Sequence, residues 1–289
     1  MHTDAFSKCH PLTNFLFFAG AIGFGVVIQH PAYIFLSVIS GTVYYLLLKG
    51  LAGWKNILLL LPLFLFISFV NPLFNHYGQT LLFNVFGNPY TLEALFYGMA
   101  VAGIFAVMMI WFLCCSLILT SDKFICLFGS LIPALSMVLV MVLRMIPNLT
   151  KKASQISAAR KSIGRGAGEQ STKKEKLLDG MLILSGLTDW ALEGSIITAD
   201  SMRSRGYGTA RRSSFHRYQL TVRDIMVIAL MILLTVVVLL FGGFDAVYTP
   251  QVQIANPGIG LAAYGIYLMI PTILHGKEAL QWHSSISRI

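Results

Sequence analysis

Residues 93–119 read EALFYGMAVAGIFAVMMIWFLCCSLIL, and after Glu93 no charged side chain interrupts the run. Crossing a hydrocarbon core takes roughly 20 residues of helix, so this run spans with length to spare. It is continuous rather than alternating, which favours a helix over a barrel strand. In lipid the backbone must satisfy its own N–H and C=O groups, and a helix does this within one segment. Five further runs of spanning character lie near 12–28, 32–48, 57–73, 224–241 and 259–275. Composition agrees: 56% of the chain is hydrophobic and 11% charged, against roughly 25% charged in soluble domains. The expected fold is an all-α, polytopic membrane protein with six transmembrane helices.

Lys and Arg in short loops set orientation. Lys8, the pair Lys49 and Lys55, and Lys277 with Arg288 mark the N-terminus, one loop and the C-terminus as cytoplasmic. The stretches 75–92 and 242–258 hold no Lys or Arg and are expected outside. The first apolar run lacks a small-x-small cleavage site and is read as a span rather than a leader. A seventh apolar stretch, 124–143, is read as not crossing, because crossing would invert everything after it. It is expected against the cytoplasmic face, broken at Pro133. The expected organisation is four spans over 1–122, a cytoplasmic region over 123–223 and two spans over 224–289.

That cytoplasmic region holds the charge. Between Arg144 and Arg223 lie fifteen of the 21 Lys and Arg against six Asp and Glu, so this segment carries the whole chain's formal +9. It is patterned rather than diffuse. Leu149, Ala153, Ile156, Ala159 and Ile163 recur at helical spacing. Gly164, Gly166 and Gly168 interrupt, and a second helix is expected from about Lys174 to Ser204. On it Leu184, Leu187, Ala191 and Met202 are expected on one side, and Asp189, Glu193 and Asp200 on the other. Gly206 and Gly208 suit its end. Each amphipathic helix ends in a basic cluster, Ala159-Arg160-Lys161 and Ser204-Arg205-Gly206. An arginine beside small residues at a helix end can be approached closely, and its planar fork grips carboxylates or carbonyls in two places.

Other chemistries find little support. The cysteines Cys9, Cys114, Cys115 and Cys126 show no zinc spacing, and no metal or cofactor is expected. Three carboxylates spread over three helical turns, Asp189, Glu193 and Asp200, read as a solvated face. Nucleic acid is not expected as a partner, since Trp190, Tyr207, Phe215 and Tyr218 are not interleaved with the arginines. The span interiors carry almost no ionisable group, unlike ion-coupled transporters. Glu93, Asp122 and Asp224 are expected at span ends, meeting water. No Walker, HExxH or Ser/His/Asp pattern is present, so the chain is not expected to be an enzyme. A basic segment could equally attract anionic lipid or an acidic protein, which leaves a membrane-anchored interaction protein as the alternative.

Two stretches carry a resemblance. The first runs Asn71-Pro72-Leu73-Phe74-Asn75-His76-Tyr77-Gly78, then Gly87-Asn88-Pro89-Tyr90-Thr91-Leu92-Glu93-Ala94. The second comprises Leu143-Arg144-Met145-Ile146-Pro147 and, from Ala199 to Gly208, ADSMRSRGYG. Together they resemble the transmembrane T component of energy-coupling factor (ECF) transporters, a family that includes the equivalent subunit of cobalt and nickel importers. The resemblance runs from about residue 10 to 275. It implies a scaffold in a prokaryotic plasma membrane, with both termini cytoplasmic. It further implies long coupling helices, each ending in an Arg-centred motif that docks into one of two ATP-binding cassette ATPase subunits. ATP-driven motion would pass to a small membrane-embedded S subunit that releases vitamin or transition metal inside. The motif residues this implies are Ser204, Arg205 and Gly206, and less regularly Ala159, Arg160 and Lys161, with Arg165 as a fallback. Pro147 is the implied hinge of the first coupling helix.

Overall fold

The computed structural model describes residues 6–75, 78, 80–85, 88–120, 123–124, 126–127, 133–164, 166, 172–209, 220–248 and 252–286. Asp122, Arg165, Gly168 and part of the outer motif (His76, Tyr77, Gly87) lie outside the described residues. The helices are α1 (Pro11–Val27), α2 (Pro31–Lys49), α3 (Trp54–Phe74), α4 (Leu92–Ile118), α5 (Pro133–Ser162), α6 (Lys173–Ser204), α7 (Val222–Phe241) and α8 (Ile259–Ile286). Two small antiparallel pairs accompany them, β1 (Leu81–Val85) with β2 (Asn88–Thr91), and β3 (Ala246–Val247) with β4 (Gln253–Ile254). The chain is an all-α polytopic membrane protein. Five helices, α2, α3, α4, α7 and α8, are long and apolar enough to cross a bilayer, and α1 is a shorter apolar helix of 17 residues. The chain divides into two compact units, Met1–Phe124 with Tyr218–Ile289, and Ile125–Arg217.

In the first unit α4 packs against α1, α2 and α3, while α8 packs against α2 and α7. Helix starts follow local chemistry. Pro11 and Pro31 sit in the first turns of α1 and α2, where a missing N–H costs nothing. The preceding His10 and His30 each accept a backbone N–H, from Leu12 and Ala32. The core is aromatic. Phe17 stacks on Tyr267 with centroids 5.4 Å apart and meets Trp111 edge-on at 5.6 Å.

Thr13 Oγ1 is buried with no partner, but other polar tips in this core find one on another helix or loop. Trp111 Nε1 donates to Ser37 Oγ at 2.9 Å, and the Tyr267 hydroxyl to the Phe17 carbonyl at 3.1 Å. Ser40 donates to the Leu268 carbonyl, and Tyr33 to that of Gly242. His30 Nε2 lies 2.9 Å from the Ala255 carbonyl; with Nδ1 accepting from Ala32, the proton belongs on Nε2. A buried polar group without a partner costs several kcal/mol in such surroundings, so these bonds fix which helices can be neighbours.

The expected water-facing carboxylates at span ends are a correction. Glu93 and Asp224 are 5% and 4% exposed. Glu93 accepts the Thr80 N–H. Asp224 accepts those of His10 and Thr221, each at 3.0 Å, and closes a capping box with Thr221. A helix N-terminus leaves unpaired N–H groups, and these side chains serve such termini and the segments beside them. Lys123 is likewise 6% exposed and donates to Ser7 Oγ at 2.9 Å and its carbonyl at 2.5 Å.

Close helix approach depends on small residues. A Cβ at Gly103 would lie 2.6 Å from Ile34 Cγ2, whereas one at Gly23 would meet nothing within 4 Å. Gly103→Val is therefore expected to destabilise the first unit by about 1–3 kcal/mol, and Gly23→Ala to be near neutral. Detergent or thermal unfolding of the two variants side by side checks this.

Candidate docking surface on the basic hairpin

The second unit is built from α5 and α6. Their 30 and 32 residues make rods about 45 and 48 Å long. Helix α5 runs from Pro133 and joins the apolar stretch to the amphipathic one without interruption; the expected break before it falls on 128–132, outside the described residues. Pro147 lies exposed within it. It removes one donor to the carbonyl four residues earlier, the local weak point of the rod. Gly164, at φ +70°, follows the helix end.

Helix α6 starts where Thr172 and Glu175 close a reciprocal capping box. This motif satisfies two N-terminal donors at once. The far end is equally specified. The Tyr207 N–H reaches the Met202 carbonyl at 3.0 Å, and the Gly206 N–H reaches the Arg203 carbonyl at 3.0 Å. Gly206 sits at φ +76°. These are the two bonds of a Schellman stop, whose left-handed position favours glycine. Arg205 is the capping residue and is exposed, as are Ser204 and Gly206. The Arg-Gly pair thus has a local meaning: glycine turns the chain, and the arginine stands at the helix end.

The helices run antiparallel. Arg160 meets Asp179, Ile156 lies against Gly186, Lys152 sits over the Trp190 ring at 5.7 Å, and the Tyr207 hydroxyl donates to Met137 Sδ. This register separates the two basic clusters. Ala159-Arg160-Lys161 lies level with Asp179, 26 residues before Arg205 on α6, which places the clusters about 39 Å apart along the helix axis. The structure does not bring them together.

The two arginines differ. Arg160 Nε donates to Asp179 Oδ1 at 2.6 Å, with side-chain exposures of 22% and 12%. Ala159 and Lys161 beside it are exposed. Sequence reasoning assigned Asp179 no role; its pairing is a consequence of register, which spacing alone does not reveal.

The covered face of α6 agrees with expectation at Leu187, Ala191 and Met202, which are partly covered, and departs from it at Leu184. Asp179, Ile183, Gly186, Leu187, Trp190 and Gly194 are partly covered, whereas Leu184 is 63% exposed. Leu184 belongs instead to an exposed apolar stripe with Leu177, Met181, Leu192 and Ile196. The helix has two apolar sides, and of the four expected residues only Leu184 falls on the exposed one. Asp189, Glu193 and Asp200 are exposed. Among the described residues no group of three or more His, Cys, Asp or Glu could hold a metal ion.

A family model described as CbiQ, cobalt transport protein, matches residues 7–217. The match takes in α1 to α4 and both hairpin helices. No curated protein matches the chain.

Gly206→Ala is expected to cost about 1–2 kcal/mol at the left-handed position and to fray the end of α6. Hydrogen exchange should show faster opening at Arg203–Tyr207 while α6 between 176 and 198 keeps its protection.

Proposed function

This chain belongs to the CbiQ family, the T components of ECF transporters, with a match over residues 7–217, and on that premise we propose that it couples ATP hydrolysis in partner subunits to uptake. In this reading it is a scaffold in a prokaryotic plasma membrane with both termini cytoplasmic. Two ATP-binding cassette ATPase subunits dock on the hairpin ends, and a small membrane-embedded S subunit receives the motion. The cargo is a vitamin or a transition metal, chosen by the S subunit. The proposed docking residues are Ser204, Arg205 and Gly206 at one end and Ala159, Arg160 and Lys161 at the other, with Pro147 as the hinge.

The observation that carries this reading is the geometry of the hairpin. Two Arg-centred clusters stand at opposite ends of one antiparallel pair of rods, far enough apart to engage two separate proteins. The positive charge favours acidic or carbonyl-rich grooves. Each rod also offers apolar side chains to a partner. Leu177, Met181, Leu184, Leu192 and Ile196 on α6, and Val138, Val142 and Ile146 on α5, are exposed. Apolar stripes of this length on a basic segment suit a protein partner better than solvent, and we assign them to the S subunit. Relative motion of the rods would then be felt directly by that subunit.

The chain supplies position and leverage. Force on Arg205 acts at the end of a capped helix, so it is transmitted along α6 rather than lost in a loop. The basic clusters draw the ATPases in, and the aromatic core of the first unit resists deformation while the hairpin moves.

Arg205→Glu is the direct test. It should lower recovery of the ATPase subunits with the tagged chain by about tenfold or more, the usual scale for reversing a charge at a docked pair. The amount of membrane-inserted chain should stay unchanged. Wild-type recovery in this variant would remove Arg205 from the docking role.

A further inference from the structure

The two proposed docking arginines are presented unequally. Arg205 is exposed at its helix end. Arg160 is only 22% exposed and is bound through Nε to a carboxylate that is itself 12% exposed. A guanidinium already facing a carboxylate has much of its charge cancelled. Because both groups are largely covered, solvent and salt weaken that pairing little.

We infer that Asp179 is a positioning residue that acts on docking through Arg160: it holds the arginine on the hairpin until an acidic or carbonyl group of an ATPase subunit takes its place. The inference rests on the docking reading above. Two further contacts along the hairpin are of a different kind and do not involve the ion pair, Ile156 against Gly186 and Lys152 over Trp190. Exchange of the ion pair leaves those two contacts in place. The incoming partner must match the geometry of the carboxylate it displaces, because the planar fork accepts such groups in fixed directions. The first motif is thus the conditional contact of the two. It engages only a partner that outcompetes Asp179, while Arg205 engages without such exchange.

The test uses the full-length tagged chain with the ATPase subunits that co-purify with it from membranes, washed with increasing NaCl. Asp179→Asn and, independently, Asp179→Ser are expected to raise the salt concentration that releases half of the ATPase, corresponding to about fivefold tighter association. Asp179→Glu is expected to restore the wild-type midpoint. In an Arg160→Ala background, Asp179→Asn is expected to change nothing, since its effect passes through the arginine. Release at or below the wild-type midpoint in both Asn and Ser variants overturns the inference, as does an undiminished shift without Arg160. Wild-type retention by Arg160→Ala alone would instead overturn the docking role of the first motif, so the two failures are read from different variants.

Discussion

Hydrocarbon offers no hydrogen bonds and no solvation for charge. Polar atoms in the spans therefore depend on the protein for partners, and the aromatic core shows how most of its polar tips find them. Trp111, Tyr33, Tyr267 and Ser40 each reach across to a serine or a backbone carbonyl on another part of the unit. These bonds are directional, so they specify neighbours in a medium where apolar packing alone specifies little. Three charged groups at or beside span ends, Glu93, Lys123 and Asp224, are buried and bound to backbone and hydroxyl groups. The same constraint concentrates the remaining charge outside the spans, and most of the basic residues fall between Arg144 and Arg223.

Once charge is concentrated there, helix geometry does the rest. Two rods of similar length, paired antiparallel and with α6 capped at defined residues, hold two basic clusters at opposite ends. The C-terminal stop at Gly206 sets where α6 ends, and so where Arg205 stands. The contact between Arg160 and Asp179 ties the other end. A scaffold that converts motion of two partners into motion of a third needs this combination of stiff members and separated attachment points.

The spans and the ends of α6 were legible in the sequence because their signals are local. A continuous apolar run needs no tertiary knowledge, and Thr172 with Glu175, like Gly206 after Arg205, announces a helix boundary within a few residues. The facing side of α6 was legible at Leu187, Ala191 and Met202 but not at Leu184. Leu184 and Ile183 are adjacent apolar residues on a helix with two apolar sides, and only the partner helix decides which is covered. The pairing of Arg160 with Asp179 was hidden for the same reason: residues 19 apart on different helices meet only through the antiparallel register. Glu93 and Asp224 misled because a charge at a span end ordinarily meets water, whereas here backbone N–H groups take its place, that of Thr80 just before β1 for Glu93 and those of His10 and Thr221 at helix starts for Asp224.

The central claim is that the two hairpin ends meet two ATPase subunits. A photo-crosslinking residue, p-benzoylphenylalanine, placed at Lys161 in one variant and at Ser204 in another, reads this directly in membranes, since both side chains are exposed. The account predicts an adduct with an ATPase subunit from each position, one subunit per hairpin end. Adducts with lipid alone, or none with an ATPase from either position, would contradict it.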